Sequence, residues 1–275
     1  MKNYSKLVNF EISRFLKFYL ILIGLTIVFQ LIGAIIMSKE YVSFSNKVIY
    51  EEQIPVSQYI EQYGTFLFQN YINSVWFTMP IFFCIAMLMI YVFFIWYRDW
   101  FGKNTFIYRL LMLPTERITI YFAKLTAILL MVLGLISIQI ILMAFEIQII
   151  NSIVPTEFQT YLSFNEIFKL QILSYLYPNT FTDFILIYGL GLILVAVLFT
   201  AILLERSYRL IGIFFAIVYV ILSFGIFISP LLMDALYTDF FYPLEIFGMV
   251  VVTSIIVLVS TIWIANQLLK YKIRV

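Results

Sequence analysis

Charged residues leave six gaps in this chain long enough to cross a bilayer, and those gaps dictate the fold class. The charge-free runs are 18–38, 62–97, 125–145, 184–204, 210–233 and 246–269. Crossing the hydrocarbon takes roughly 20 apolar residues. Inside it every backbone amide must be satisfied within the segment, so each run is expected to be a helix. The expectation is an all-α membrane protein, one transmembrane domain over 1–275. Its six spans are expected near 18–37, 75–97, 118–145, 183–204, 210–230 and 245–267. Only 12% of the residues are charged, against about 25% in soluble domains, which points the same way.

Orientation follows from where the basic residues lie. Six spans place the N-terminus, the 98–124 loop, the 205–209 turn and the C-terminus on one side. That side holds fourteen of the seventeen Lys and Arg residues and four of the fifteen acids. The other side has only Lys39, Lys47 and Lys169 among its basic residues. Lys and Arg bias sets topology while acids count for little, so both termini are expected in the cytoplasm and the protein in the cell membrane. No basic cluster is larger than a loop, which disfavours nucleic acid as a partner.

Residues 1–17 read as an amphipathic lead-in, with Tyr4, Leu7, Val8, Ile12 and Phe15 on one face. Such a helix is expected to lie in the interface with its lysines among lipid headgroups. The segments 38–73 and 151–180 read as external. In the first, Glu51 and Glu52 are taken as part of a solvated loop. In the second, Phe158, Tyr161, Leu162, Ile167 and Leu170 suggest a surface helix resting on the membrane. Trp96, Tyr97 and Trp100 read as an aromatic belt at the inner interface. Pro80 is a candidate kink in the second span. Residues 205–209 are expected to turn the chain back between the fourth and fifth spans.

Catalytic chemistry is hard to find. Histidine is absent and Cys84 stands alone, which argues against Ser–His hydrolysis and Cys-based metal clusters. No ionisable residue lies near the centre of a span, where proton-coupled carriers generally need one. No Walker A sequence is present: Phe101-Gly102-Lys103-Asn104 lacks the upstream glycine and the hydroxyl residue. We expect no catalytic, cofactor-binding or metal residues, and no enzymatic activity. Gln30, Gln139 and Thr200 are read as interhelical hydrogen-bond formers rather than as a substrate lining.

The 98–124 loop is the one sizeable polar segment with five basic residues: Arg98, Lys103, Arg109, Arg117 and Lys124, against Asp99 and Glu116. Phe106, Leu110 and Leu113 recur at i, i+4, i+7, and Pro114 would end that short helix. Its apolar side must be buried, and a partner protein is the expected cover. The loop reads Arg98-Asp99-(x2)-Gly102-(x2)-Thr105, then Leu111-x-Leu113-Pro114-(x2)-Arg117-(x6)-Lys124. It resembles the permease subunits of ATP-binding-cassette exporters of the second export class. The motif covers about 27 residues; the six-span layout and the lead-in match over the whole chain. Lys103 and Asn104, between Gly102 and Thr105, depart from the family pattern.

The resemblance implies that Thr105 to Leu113 form a coupling helix between the second and third spans, docked into a cytoplasmic ATPase. Arg98, Arg109 and Arg117 would then contact that ATPase or headgroups, with Asp99, Gly102, Leu110, Pro114 and Lys124 completing the coupling element. It further implies a second permease copy or paralogue as a dimer partner. ATP and magnesium would sit on the ATPase chains, and the substrates would be hydrophobic or amphipathic; the large aromatic external segments are compatible with antimicrobial-type peptides among them. Two plainer readings stand beside it. The basic residues would enforce topology on any polytopic protein, and a non-transporting scaffold or sensor would recruit a cytoplasmic partner through the same loop.

Overall fold

The computed structural model describes residues 2–101, 106–112, 116–160, 164–237 and 240–273. Among these the chain is helical, without strands; a single isolated bridge joins Phe66 and Gln159. Six of its helices are long and apolar enough to cross a membrane: Tyr4–Glu52, Val75–Trp100, Ile118–Ile153, Phe181–Tyr208, Leu210–Leu236 and Pro243–Lys272. All six expected spans fall within them.

Helix ends depart from the expected spans for a consistent reason. Helix α1 (Lys2–Glu52) runs unbroken through the lead-in, the first span and on to Glu51 and Glu52. The lead-in is therefore the start of the first long helix rather than a separate one, and the two glutamates are helical rather than in a loop. Nothing in 38–52 stops a helix; Gln53 with φ 49° and Pro55 do. Likewise α6 (Ile118–Ile153) passes its expected end near 145 and stops just short of Pro155. A bilayer ends a hydrophobic run, whereas a left-handed residue or a proline ends a helix.

The chain divides into two compact units. One comprises Phe15–Leu88 and Leu130–Phe184. There the expected external segments form short helices α2 (Val56–Tyr63), α3 (Phe68–Ile72), α7 (Phe164–Ile167) and α8 (Gln171–Leu176). They fold onto one another: Phe66 N donates to Phe158 O at 2.8 Å, and Tyr59, Phe66, Phe158, Ile167 and Leu173 share a buried cluster. Phe158 and Ile167 thus point into protein rather than down onto lipid. Tyr161 and Leu162 lie outside the described residues.

Helices α1 and α4 (Val75–Trp100) approach closely in this unit. A methyl group on Gly33 would overlap Trp76 Cβ, which is fixed to its own main chain. Gly33→Ala is expected to cost about 1–3 kcal/mol, the usual range for overpacking. Gly24→Ala, with open space around it, should be tolerated. Thermal unfolding of the two variants in detergent checks the contrast.

The other unit comprises Met1–Arg14, Met89–Leu129 and Ile185–Val275. Its backbone is helical from Ile185 to Leu236, within the helix α9 (Phe181–Leu236), yet this is a reversed pair rather than a rod. A Cβ on Gly212 would lie 2.5 Å from Leu204 O and 2.6 Å from Glu205 O. Eight residues of straight helix span about 12 Å, so the axis must fold back here. The turn expected at 205–209 is in place. Helix α10 (Pro243–Gln267), followed by a π-helical turn Leu268–Lys272, completes the unit. Thr200 Oγ1 is 3.4 Å from Thr261 O, and the Tyr219 hydroxyl is 2.6 Å from Thr261 Oγ1. Both arms of α9 therefore meet α10 at one residue.

Candidate functional site

Five charged side chains converge in the second unit. Glu11 belongs to the buried stripe of α1, at helical spacing from Val8 and Phe15. Asp99 lies in the last turn of α4 and Lys124 in the second turn of α6; both are fully buried, and Glu11 is 2% exposed. An ammonium has three protons to donate. Lys124 Nζ directs them to Glu11 Oε1 at 2.7 Å, Asp99 Oδ2 at 2.5 Å and Ile95 O at 3.0 Å. Each carboxylate uses its second oxygen on an arginine. Arg98 Nη2 donates to Glu11 Oε2 at 3.0 Å, and Arg14 Nη1 to Asp99 Oδ1 at 2.8 Å.

The result is an alternating chain, Arg98–Glu11–Lys124–Asp99–Arg14, joining α1, α4 and α6. Burying any one of these charges alone would be prohibitive; pairing and full hydrogen bonding make the burial tolerable. Trp96 lies beside it, its ring 5.2 Å from Lys124 Nζ, and packs edge-on against Phe199 of α9. Trp96 is fully buried, so it is not part of an interfacial belt. Tyr97 sits at the 205–209 corner, where its hydroxyl bonds Glu205 and its ring faces the Arg206 guanidinium at 4.7 Å.

The arginine end of the network leads to the short helix α5 (Phe106–Leu111). The Arg14 guanidinium lies 5.0 Å from the ring centres of Phe10 and Phe106, which stack on each other at 5.7 Å. Ile107, Leu110 and Leu111 are buried as well. The apolar side of this helix is therefore covered by the chain itself, where a partner protein was the expected cover. What it presents outward is Arg109 and, just past its end, Met112, which is 69% exposed.

Among the residues singled out from the sequence, Arg98, Asp99 and Lys124 meet in the network. Leu110 is core and Arg109 is surface. Arg117 stands apart from the network: its Nη1 donates to Leu269 O and Ile273 O at 2.8 Å each, capping the last carbonyls of the C-terminal helix. Gly102, Thr105, Leu113 and Pro114 lie outside the described residues. Glu11 and Arg14 were missed. The signal for Glu11 was an acid in the middle of an apolar helical stripe. The sequence holds no comparable cue for Arg14, whose ion-pair partner Asp99 lies 85 residues away.

Gln30, Gln139 and Thr200 are all buried. Gln30 Nε2 donates to Phe77 O at 3.1 Å across helices; Thr200 Oγ1 bonds back to Ala196 O at 3.1 Å within its own helix and reaches Thr261 O of α10 at 3.4 Å. No family model, curated protein or solved structure matches this chain.

Proposed function

We propose that this chain is the permease subunit of an ATP-driven exporter, with α5 as the element on which a separate ATPase acts. The observation that carries this reading is the two-sided character of α5. One side is held through Phe106 and Arg14 to the buried charge chain, and the other offers Arg109 and Met112 to the cytoplasm. Displacing α5 would pull on Arg14, hence Asp99 and Lys124, and so shift α1, α4 and α6 together. Packed elements of this kind switch between arrangements as rigid bodies rather than deforming continuously. The chain has no nucleotide motif of its own, so ATP and magnesium belong to the partner.

In this reading both termini face the cytoplasm and the protein sits in the cell membrane beside a second copy or a similar permease. The transported molecule is hydrophobic or amphipathic, with antimicrobial-type peptides the preferred class. Co-purification in mild detergent tests the central claim. Wild type is expected to retain an ATPase bearing Walker motifs. An Arg109→Glu, Met112→Asp variant is expected to lose about tenfold in retention, a difference of roughly 1.4 kcal/mol, at unchanged unfolding temperature. Leu110→Asp is unsuitable, because it breaks the core. If no ATPase accompanies wild type, the permease reading falls and a scaffold or sensor role takes its place.

A further inference from the structure

Glu146, near the outer end of α6, is fully buried and makes no ion pair among the described residues. Its surroundings within its unit are nearly all apolar. Met143, Ile147 and Ile150 flank it on α6, and Phe77 of α4 packs against its neighbour Tyr71. From α1 comes Gln30, which is uncharged; from α3 comes Tyr71, the titratable group in contact with it. The Tyr71 hydroxyl lies 2.8 Å from the Gln30 backbone oxygen and 3.2 Å from Glu146 Oε1. Glu146 Oε2 is buried with no hydrogen-bond partner among the described residues.

Counting protons decides the state of this triad. A phenol has one proton, and a backbone carbonyl has none to give. Burial, with the nearby Glu146 adding to it, pushes the Tyr71 phenol up, so the hydroxyl keeps that proton. If Tyr71 donates to Glu146, its oxygen stands 2.8 Å from the Gln30 oxygen with no proton between them. If it donates to Gln30, the shorter contact, an ionised Glu146 faces a lone pair with nothing to bond. One arrangement satisfies both contacts: Glu146 carries a proton and donates to Tyr71, which donates to Gln30. It also leaves Oε2 as a carbonyl oxygen, far less costly to bury unpartnered than half of a carboxylate.

We infer that Glu146, Tyr71 and the Gln30 carbonyl form a proton-binding site in which Glu146 is held as the neutral acid. Losing that proton to solvent leaves a buried carboxylate with a single donor, and α3 and α6 must then separate to admit water. The site thereby makes packing of this unit sensitive to pH. The inference rests on this unit alone and stands or falls independently of the permease reading.

Infrared spectroscopy of the purified protein tests it directly. At about pH 7, where exposed Asp and Glu carboxyls are ionised, wild type is expected to keep a protonated-carboxyl C=O band. Glu146→Gln should abolish that band, and Tyr71→Phe should shift it by removing its acceptor. No such band in wild type, or one that both substitutions leave unmoved, overturns the inference. Should Glu146→Gln fail to fold, the wild-type spectrum and Tyr71→Phe decide alone. A second readout follows from linkage. The native state binds the extra proton, so stability falls as pH rises. The wild-type unfolding temperature should therefore drop, relative to that of Glu146→Gln, between about pH 5, just above the ordinary glutamate pKa, and pH 7; equal slopes count against the site.

Discussion

Replacing Lys124 with methionine is expected to destabilise the protein by about 3–5 kcal/mol, the usual cost of removing one partner from a buried ion pair. Methionine roughly fills the volume, so the loss is electrostatic. Glu11 and Asp99 both turn an oxygen toward Nζ, and without it two buried carboxylate oxygens face each other with no proton between them. Arg98 and Arg14 remain, but each occupies the opposite oxygen of its partner. Lys124→Arg should fail to restore stability, because a planar fork does not reproduce three donors radiating from a point. Thermal unfolding in detergent reads the effect, with Lys47→Met as the exposed control; its 3.9 Å pair with Glu51 is largely solvent-exposed and should matter little. Adding Glu11→Gln and Asp99→Asn to Lys124→Met should not recover the loss, since Arg98 and Arg14 are then left without their carboxylate partners. A Lys124→Met protein as stable as Lys47→Met would remove the network from the account.

The fold class was legible in the sequence because charge is excluded from lipid, and that physics acts on runs of residues rather than on contacts. Helix ends were less legible. Charges at 39 and 40 mark where the membrane stops, but α1 continues past them to Glu52 because its backbone meets no breaker before Gln53 and Pro55. The charge network was half legible. Arg98, Asp99 and Lys124 stood out as part of a loop motif, while their partners are fixed by tertiary packing between residues 85 to 113 apart. A basic residue at the inner end of a span looks the same whether it reaches water or, like Lys124, turns inward to an acid. Glu11 was the one readable clue. The inward face of α5 was legible as apolar, but its cover was not: sequence periodicity says that Leu110 must be buried and not by what.

Gly212→Ala offers a test whose sign, rather than its size, carries the answer. In a straight helix, alanine in place of glycine stabilises by about 1 kcal/mol, because glycine loses the most backbone entropy and gives nothing back. In the reversed arrangement the new methyl group meets Leu204 O and Glu205 O, which are backbone atoms of the corner and cannot rotate away. Gly212→Ala is therefore expected to destabilise by about 3 kcal/mol, at the upper end of overpacking costs. Gly225→Ala, in the same arm with open space around it, should be neutral or slightly stabilising. Thermal unfolding of both variants in detergent supplies the comparison. A stabilised Gly212→Ala would mean that α9 does not fold back at 205–209, leaving five membrane crossings and a C-terminus on the opposite side from the N-terminus. The charge asymmetry speaks against that outcome, because it would carry Lys270, Lys272 and Arg274 across the membrane. The steric fit at Gly212 and the segregation of basic residues are independent, and both require the chain to reverse at 205–209.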